Sequence, residues 1–451
     1  MSRGLGDVYK RQINKDTDRV NTAELHGVDS SEDSKKTLTI YCWNTEFKSR
    51  LDKYYPQGTS NELTYNELAD GSKEIATING VKLNWVQVEN EGNAYQTKLD
   101  EALKGQQDST EKVDMFLMEA DYALKYANGD VALSVQDLGI TDDDMSEMYQ
   151  YTKDVATDTK TGELKGVSWQ ATPGLFLYNT KIAEDVLGTS DPEKVQEAVK
   201  DWDAFEETAK KMKDAGYTMV TDYQEGSRVF NAKRSTPWVQ DDVISVPAEI
   251  DEWTEMAKGW YDNGYMKGGA MWSSDEWKNG FREGNFGYFG CTWYLIWSMN
   301  EQVDGNAKWN ICQGPDAYYW GGTWLCAGAN CSNKDLAYEI MYKMTADVDV
   351  ATEIAKDELN FPNNKKAADA VASENPSTGR DWLECENYFE FCKSAADAIE
   401  VKNMTPYDQM IESYQTAIAD YFTGTATKEQ ALQNFYNTVT EQWPKLSAPA
   451  N

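Results

Sequence analysis

Residues 81–105 read VKLNWVQVENEGNAYQTKLDEALKG, and residues 113–119 read VDMFLME. VKLNWVQVEN alternates apolar and polar residues, which predicts a strand because successive strand side chains face opposite ways. AYQTKLDEALKG changes to helical spacing and stops at Gly105. VDMFLME is apolar through its centre and predicts a buried strand. Strand, helix and strand in this order imply a mainly parallel sheet with helices on both faces, since parallel strands need a crossover between them.

The strand before these, in LTIYCWNTEF (38–47), changes character abruptly at Trp43, Asn44 and Glu46. Two readings are open. One is a turn in which Asn44 bonds its own backbone while Trp43 caps the core. The other is a binding site at the carboxyl end of a strand, where open α/β sheets place their ligands.

A second alternating set begins near Lys165. In GVSWQATPGLFLYNTKI (166–182), LFLYN predicts a strand. DWDAFEETAKKMKDAG (201–216) predicts a helix capped by Asp201, with Trp202, Phe205, Ala209 and Met212 as its apolar stripe and Gly216 as its stop. Ser273 and Glu276 have capping-box spacing. FGYFG (286–290) predicts a strand, and helices are expected over 333–346, 381–400 and within 405–442.

The 451 residues exceed what one hydrophobic core usually supports, so two lobes are expected. Forty-three Lys and Arg stand against 76 Asp and Glu, a net charge of -33 that repels phosphate backbones and argues against nucleic acid. No apolar run is long enough to span a bilayer. The one histidine, His26, lies in a polar leader, which removes Ser-His-Asp and Cys-His nucleophiles and histidine-based zinc sites. No metal and no cofactor is expected. Paired carboxylates remain available for acid-base chemistry.

The seven cysteines contain no CxxC pair; buried thiols are expected, with a Cys326–Cys331 disulfide as the alternative and Cys385 and Cys392 on one helix face. Residues 1–36 have no periodic apolar pattern and read as a leader and linker, with a basic start, MSRGLGDVYKRQ, that resembles a non-native junction. No apolar signal region is present, so the chain as given predicts no signal peptide.

Several segments then occur in a familiar order. DMFLMEAD (114–121), PGLFLYNTKI (173–182), YDNGYMKGGAMWSSDEWKNGFREGNFGYFGCTWY (261–294) and GGTWLCAGANCSNKDLAYEIMYKMT (321–345) together resemble the extracellular sugar-binding proteins of ABC importers, the group that includes maltodextrin-binding proteins. The resemblance spans about residues 37 to 445 and lies in the order of segments, not in one specific motif. It implies an α/β, periplasmic-binding-protein-like fold of two α/β lobes with a central cleft and hinge crossovers. The boundaries it implies are lobe 1 over 37–164 with 313–360, lobe 2 over 165–312 with 361–445, and a tail over 446–451. It further implies a monomeric cell-surface lipoprotein outside the cell that delivers an oligosaccharide to membrane permease subunits, without catalysis. The lipid-bearing cysteine and signal of such a protein are missing from this chain.

Sugars offer hydroxyl edges and C–H ring faces, so a site needs carboxylates or amides together with flat aromatic platforms. With 16 Trp and 26 Tyr the chain is well supplied, and the aromatics just after strands are the candidates. After the first strand these are Trp43, Asn44 and Glu46. After DMFLM come Glu119 and Asp121; Asp121 matches the family position that bonds sugar hydroxyls, and the competing role is a helix cap for YALKYA. Trp169, Gln170 and Thr172 precede a strand near the expected crossing, with core packing of Trp169 as the alternative. Trp293 and Tyr294 match the family's stacking loop, and Trp320 and Trp324 flank Gly321-Gly322, where the backbone can approach a ligand closely. Arg228 lies in a segment that faces the cleft in the family, or makes a surface ion pair. The rival functions are a secreted glycoside hydrolase using two carboxylates such as Glu46 and Asp121, and a binding protein for a peptide or polyamine.

Overall fold

A computed structural model of the protein describes residues 34–104, 112–294, 298–304 and 306–450. The leader reading of residues 1–33 and the stop at Gly105 lie outside them. The described chain forms two compact α/β units. Unit 1 holds the residues up to Gln170 together with Gly322–Ile354 and Pro362–Ala367; unit 2 holds Ala171–Gly321, Ala355–Phe361 and the residues from Ala368 onward. Residues 165–170 therefore lie in unit 1, and residues 313–321 in unit 2.

In chain order the strands are β1 (Thr37–Cys42), β2 (Leu63–Glu67), β3 (Lys73–Ile78), β4 (Val81–Gln87), β5 (Met115–Glu119), β6 (Val167–Ser168), β7 (Gly174–Asn179), β8 (Val239–Gln240), β9 (Val243–Ile244), β10 (Gly287–Cys291), β11 (Trp309–Cys312) and β12 (Thr323–Ala327). Unit 1 carries a seven-stranded sheet in the order β2-β3-β4-β1-β5-β12-β6. Its centre is parallel: β1 pairs with β4 from Thr37↔Lys82 to Cys42↔Gln87, and with β5 at Ile40↔Met115. Leu38, Ile40, Phe116 and Leu117 are buried there, and the Tyr95 hydroxyl joins the adjacent helix to β5 by donating to Leu117 O at 2.5 Å.

The expectation of a mainly parallel sheet fails outside this centre. β12 runs antiparallel to both β5 and β6, and β2-β3-β4 form antiparallel pairs. The reversal between β3 and β4 is made by Asn79-Gly80, at φ 50° and 79°, the two positive angles that a tight hairpin turn requires. In unit 2 the sheet order is β10-β7-β11, with both neighbours antiparallel to β7. Phe205 of the helix Trp202–Asp214 packs on Phe176 of β7 and Phe289 of β10, stacked on the latter at 5.5 Å and 25°.

Local capping follows the sequence in most places. Asp201 accepts from Ala204 N–H at 2.8 Å at the start of Trp202–Asp214, and Asn179 caps Thr180–Leu187 by accepting from Ile182 N–H. The capping box expected at Ser273 is displaced by one residue: Ser274 caps, accepting from Trp277 N–H at 3.1 Å, which leaves Glu276 one position early. The helix expected over 381–400 spans only Tyr388–Asp397, so Cys385 precedes it and does not share its face with Cys392. All seven cysteines are buried free thiols, and the alternative Cys326–Cys331 disulfide is not formed. Burial, slightly offset by Lys48, pushes the Cys42 thiol up to about 11.

Candidate functional site

In unit 1 the chain leaves β1 into the helix Glu46–Tyr54 through a turn closed by Asn44, whose Oδ1 accepts from Glu46 N–H at 3.1 Å. Half of the open question at this stretch is thereby answered, since Asn44 does bond its own backbone. Trp43 does not disappear into the core. It is half-buried, edge-on to Tyr95 at 5.4 Å and to Tyr122 at 6.4 Å. Glu46 pairs with Arg50 one helical turn later, and the Arg50 guanidinium lies 5.5 Å from the Trp169 ring. Trp169 also stacks on Phe47 at 5.5 Å and 20° and is 3% exposed, which is the packing alternative for this residue.

At the end of β5, Glu119 accepts from Asp121 N–H at 2.8 Å and caps the short turn Ala120–Tyr122, whereas the helix Ala123–Ala127, for which Asp121 is the expected cap, starts after Tyr122 with no side-chain cap. Asp121 is half-buried in the following turn, Ala120–Tyr122. Among the described residues the buried Trp169 indole N–H has no hydrogen-bond partner. Gln170 is buried, and its N–H donates to Ser168 Oγ at 3.2 Å.

Trp324 is placed otherwise than expected. It lies inside β12, opposite Met118 on β5 and Ser168 on β6, is 2% exposed, and donates its indole N–H to Thr152 O at 2.8 Å. An indole fixed within a strand register and covered in this way is a core side chain of unit 1. The glycines before it suggested a close approach to ligand; the strand pairing that buries it was invisible in the sequence.

Unit 2 gathers Trp293, Tyr294 and Trp320 into one aromatic cluster and adds two residues that the sequence reading passed over, Trp272 and Trp277. Trp272 is 44% exposed, one of few large apolar side chains so open, and its backbone is left-handed at φ 69°. Its ring stacks on Trp293 at 5.7 Å and 23°, and Trp277, Tyr294 and Trp320 lie 5.1, 5.9 and 6.3 Å away. Trp293 is half-buried and donates its indole N–H to Trp320 O at 2.9 Å. Arg228, half-buried on the helix Gln224–Ala232, sets its guanidinium 5.6 Å from the Trp320 ring. Thr172 takes a structural part here, its hydroxyl donating to Gly321 O at 3.0 Å.

Tyr294 and Trp320 form the inner layer, not the outer face. Tyr294 is fully buried, and its hydroxyl donates to Glu225 at 2.5 Å; Trp320 is 4% exposed. Glu225 also accepts from Trp277 Nε1 at 2.9 Å and from Phe289 N–H at 3.1 Å. Burial, then the neighbouring Asp222 carboxyl, holds Glu225 well above the usual carboxylate range. Burial likewise pushes Asp222 up to about 6, although it accepts from Gln224 N–H at 2.7 Å and Glu225 N–H at 3.2 Å. The only signal for Trp272 was its place two residues after a Gly-Gly-Ala run; its exposure and left-handed backbone had none.

Chemically, the unit 2 cluster is an open aromatic face backed by bonded polar groups. Among the described residues no group of His, Cys, Asp and Glu could hold a metal ion, and no helix is long and apolar enough to cross a membrane.

The family model for bacterial extracellular solute-binding proteins matches residues 72–379. A solved extracellular solute-binding protein of family 1 superposes with a TM-score of 0.71 at 14% identity, covering 89% of this chain and 99% of its own. The ABC transporter associated binding protein of B. animalis subsp. lactis, in complex with β-1,6-galactobiose, gives 0.63 at 16% identity, with 92% and 100% covered. The GacH receptor of Streptomyces glaucescens, solved unliganded and with acarbose, gives 0.65 at 14% identity, with 91% and 99% covered. At such identities the likeness is one of fold. No curated protein sequence matches the chain.

Proposed function

This chain belongs to the bacterial extracellular solute-binding proteins, and from that premise we propose that its solute is an oligosaccharide, which it delivers to the permease subunits of an ABC importer. The observation that carries the proposal is the aromatic face of unit 2: an exposed Trp272 stacked on a half-buried Trp293, with three further rings beneath. A flat, partly solvated indole pair suits the C–H face of a sugar ring, which is apolar but rimmed with hydroxyls. Charged or strongly basic solutes would be better matched by carboxylates than by stacked indoles.

Trp272 and Trp293 are the proposed stacking platforms. Trp43, Asn44, Glu46 and Asp121 remain proposed polar and aromatic contacts from unit 1; Trp320 and Tyr294 support the platforms from behind, and Gln170 is proposed only through its carboxamide. The similar proteins solved with β-1,6-galactobiose and with acarbose support a saccharide solute. Action as a monomer, lipid attachment at the cell surface and the absence of catalysis belong to the same proposal.

A thermal-shift screen against neutral oligosaccharides tests it, because a ligand that binds only the folded state raises stability by about 2.7 kcal/mol at a hundred times its Kd. Saccharides that raise the melting temperature should be recovered intact after long incubation. Shortened products that vanish on mutating Glu46 or Asp121 would establish a hydrolase instead.

A further inference from the structure

Glu225 stands in the first turn of the helix Gln224–Ala232 and is 2% exposed. Its carboxyl is the meeting point of three other segments. Trp277 Nε1 comes from the helix Asp275–Gly280, Phe289 N–H from β10, and the Tyr294 hydroxyl from the turn after β10. Two of those three donors belong to rings of the aromatic cluster. Trp277 lies 5.1 Å from Trp272, and Tyr294 lies 5.8 Å from Trp293 and 5.5 Å from Trp320.

We propose that Glu225 is a positioning residue for the aromatic face: by accepting from all three donors it fixes the rings that hold Trp272 and Trp293 parallel. The proposal rests on reading that face as the ligand platform. The chemistry demands an acidic side chain. Trp277 Nε1 and Phe289 N can only donate, and they approach different oxygens of Glu225, Oε1 and Oε2. A glutamine in its place would turn its NH2 toward one of these two N–H groups in either amide orientation. A buried donor facing another donor loses its bond and its solvation together.

The titratable groups around Glu225 are Asp222 before its own helix, Tyr288 on β10, Tyr294 after that strand, and Tyr318. Arg228 follows about one turn later on the same helix, its guanidinium against the Trp320 ring; the acid itself is kept in place by its donors and by burial, with the helix start favouring any negative charge.

The stacked indoles supply a probe that needs no sugar. Two stacked indoles whose transition moments are skewed give an exciton couplet in circular dichroism, and Trp272→Phe, Trp293→Phe and the double variant together separate the part due to the Trp272–Trp293 pair from the parts due to Trp277 and Trp320. Glu225→Gln should unfold cooperatively yet lose that couplet. Val229→Ala, which opens a void on the same helix but leaves Glu225 and its three donors in place, should be comparably destabilised and keep it. Should Glu225→Gln fail to fold, Tyr294→Phe removes one donor alone and should weaken the couplet in a folded protein. A folded Glu225→Gln or Tyr294→Phe with the wild-type couplet would overturn the proposal, as would its equal loss in Val229→Ala.

Maltose and β-1,6-galactobiose serve as binding probes. Whichever binds the wild type should bind Glu225→Gln about ten-fold more weakly. A wild type that binds neither would count against these sugars as solutes, while the couplet would still decide the role of Glu225.

Discussion

Trp272 holds a backbone conformation that disfavours it. For an L residue the left-handed region costs roughly 1–2 kcal/mol, and a bulky side chain there is an outlier. At φ 69° and 44% exposed, the side chain sets only its ring contacts against that cost. Strain of this kind clusters at functional positions. Relief of that strain, offset by the chain entropy of glycine and the lost ring contacts, should leave Trp272→Gly within about 1 kcal/mol of wild-type stability, measured by denaturant titration, while weakening saccharide binding. A fall of about 3 kcal/mol or more, as for a core indole, would show that the ring is structural. Trp324 should behave in the opposite way. As a core indole with a buried bond to Thr152 O, its replacement by alanine should cost about 3–5 kcal/mol, with near-normal affinity in the protein that remains folded. A stable Trp324→Ala that no longer binds saccharide would return it to the site.

The helix Gln224–Ala232 carries a pH dependence. Asp222 titrates near 6 in the folded protein against an ordinary 3.8 because it is buried, with Glu225 and Tyr223, Tyr288 and Tyr294 around it. A carboxyl whose folded value is raised contributes stability that is fully present below its ordinary value. That contribution is lost as pH rises through the folded value. Asp222→Asn keeps an oxygen for the Gln224 and Glu225 N–H groups but has no proton to lose. Its melting temperature should gain on wild type between pH 4 and pH 7; a difference that is flat with pH would place the titration elsewhere. At this scale much was legible. The β1, β5 and β7 strands, the Asp201 cap and the terminal helices follow from periodicity and capping residues that act locally. The strand directions in unit 2 were not legible, because antiparallel pairing of β7 with β10 and β11 depends on partners more than a hundred residues away. The β3-β4 hairpin was missed although Asn79-Gly80 announces its turn, and β2 beside it was missed with it. Site residues were legible only as types: a tryptophan after a glycine pair signals either an exposed ring or a core residue, and Trp272, 44% exposed, and Trp324, 2% exposed, divide those outcomes between them.

For the whole molecule, a net charge of -33 makes a clear distinction between classes of solute. A neutral oligosaccharide held by stacking and hydrogen bonds should bind equally well at low and high salt, whereas a polyamine would be drawn by the acidic field and lose affinity as salt screens it. Titrations of the same preparation in both conditions separate the two. The central claim, that this solute-binding protein takes an oligosaccharide on the aromatic face of unit 2, is tested most directly by calorimetric titration of wild type and Trp272→Ala with the same panel of neutral oligosaccharides. The account predicts that at least one member binds the wild type, and that truncating the platform costs about 2 kcal/mol, roughly a thirty-fold loss of affinity, with the fold intact. Wild-type affinity in Trp272→Ala, or no oligosaccharide bound by the wild type, would contradict it.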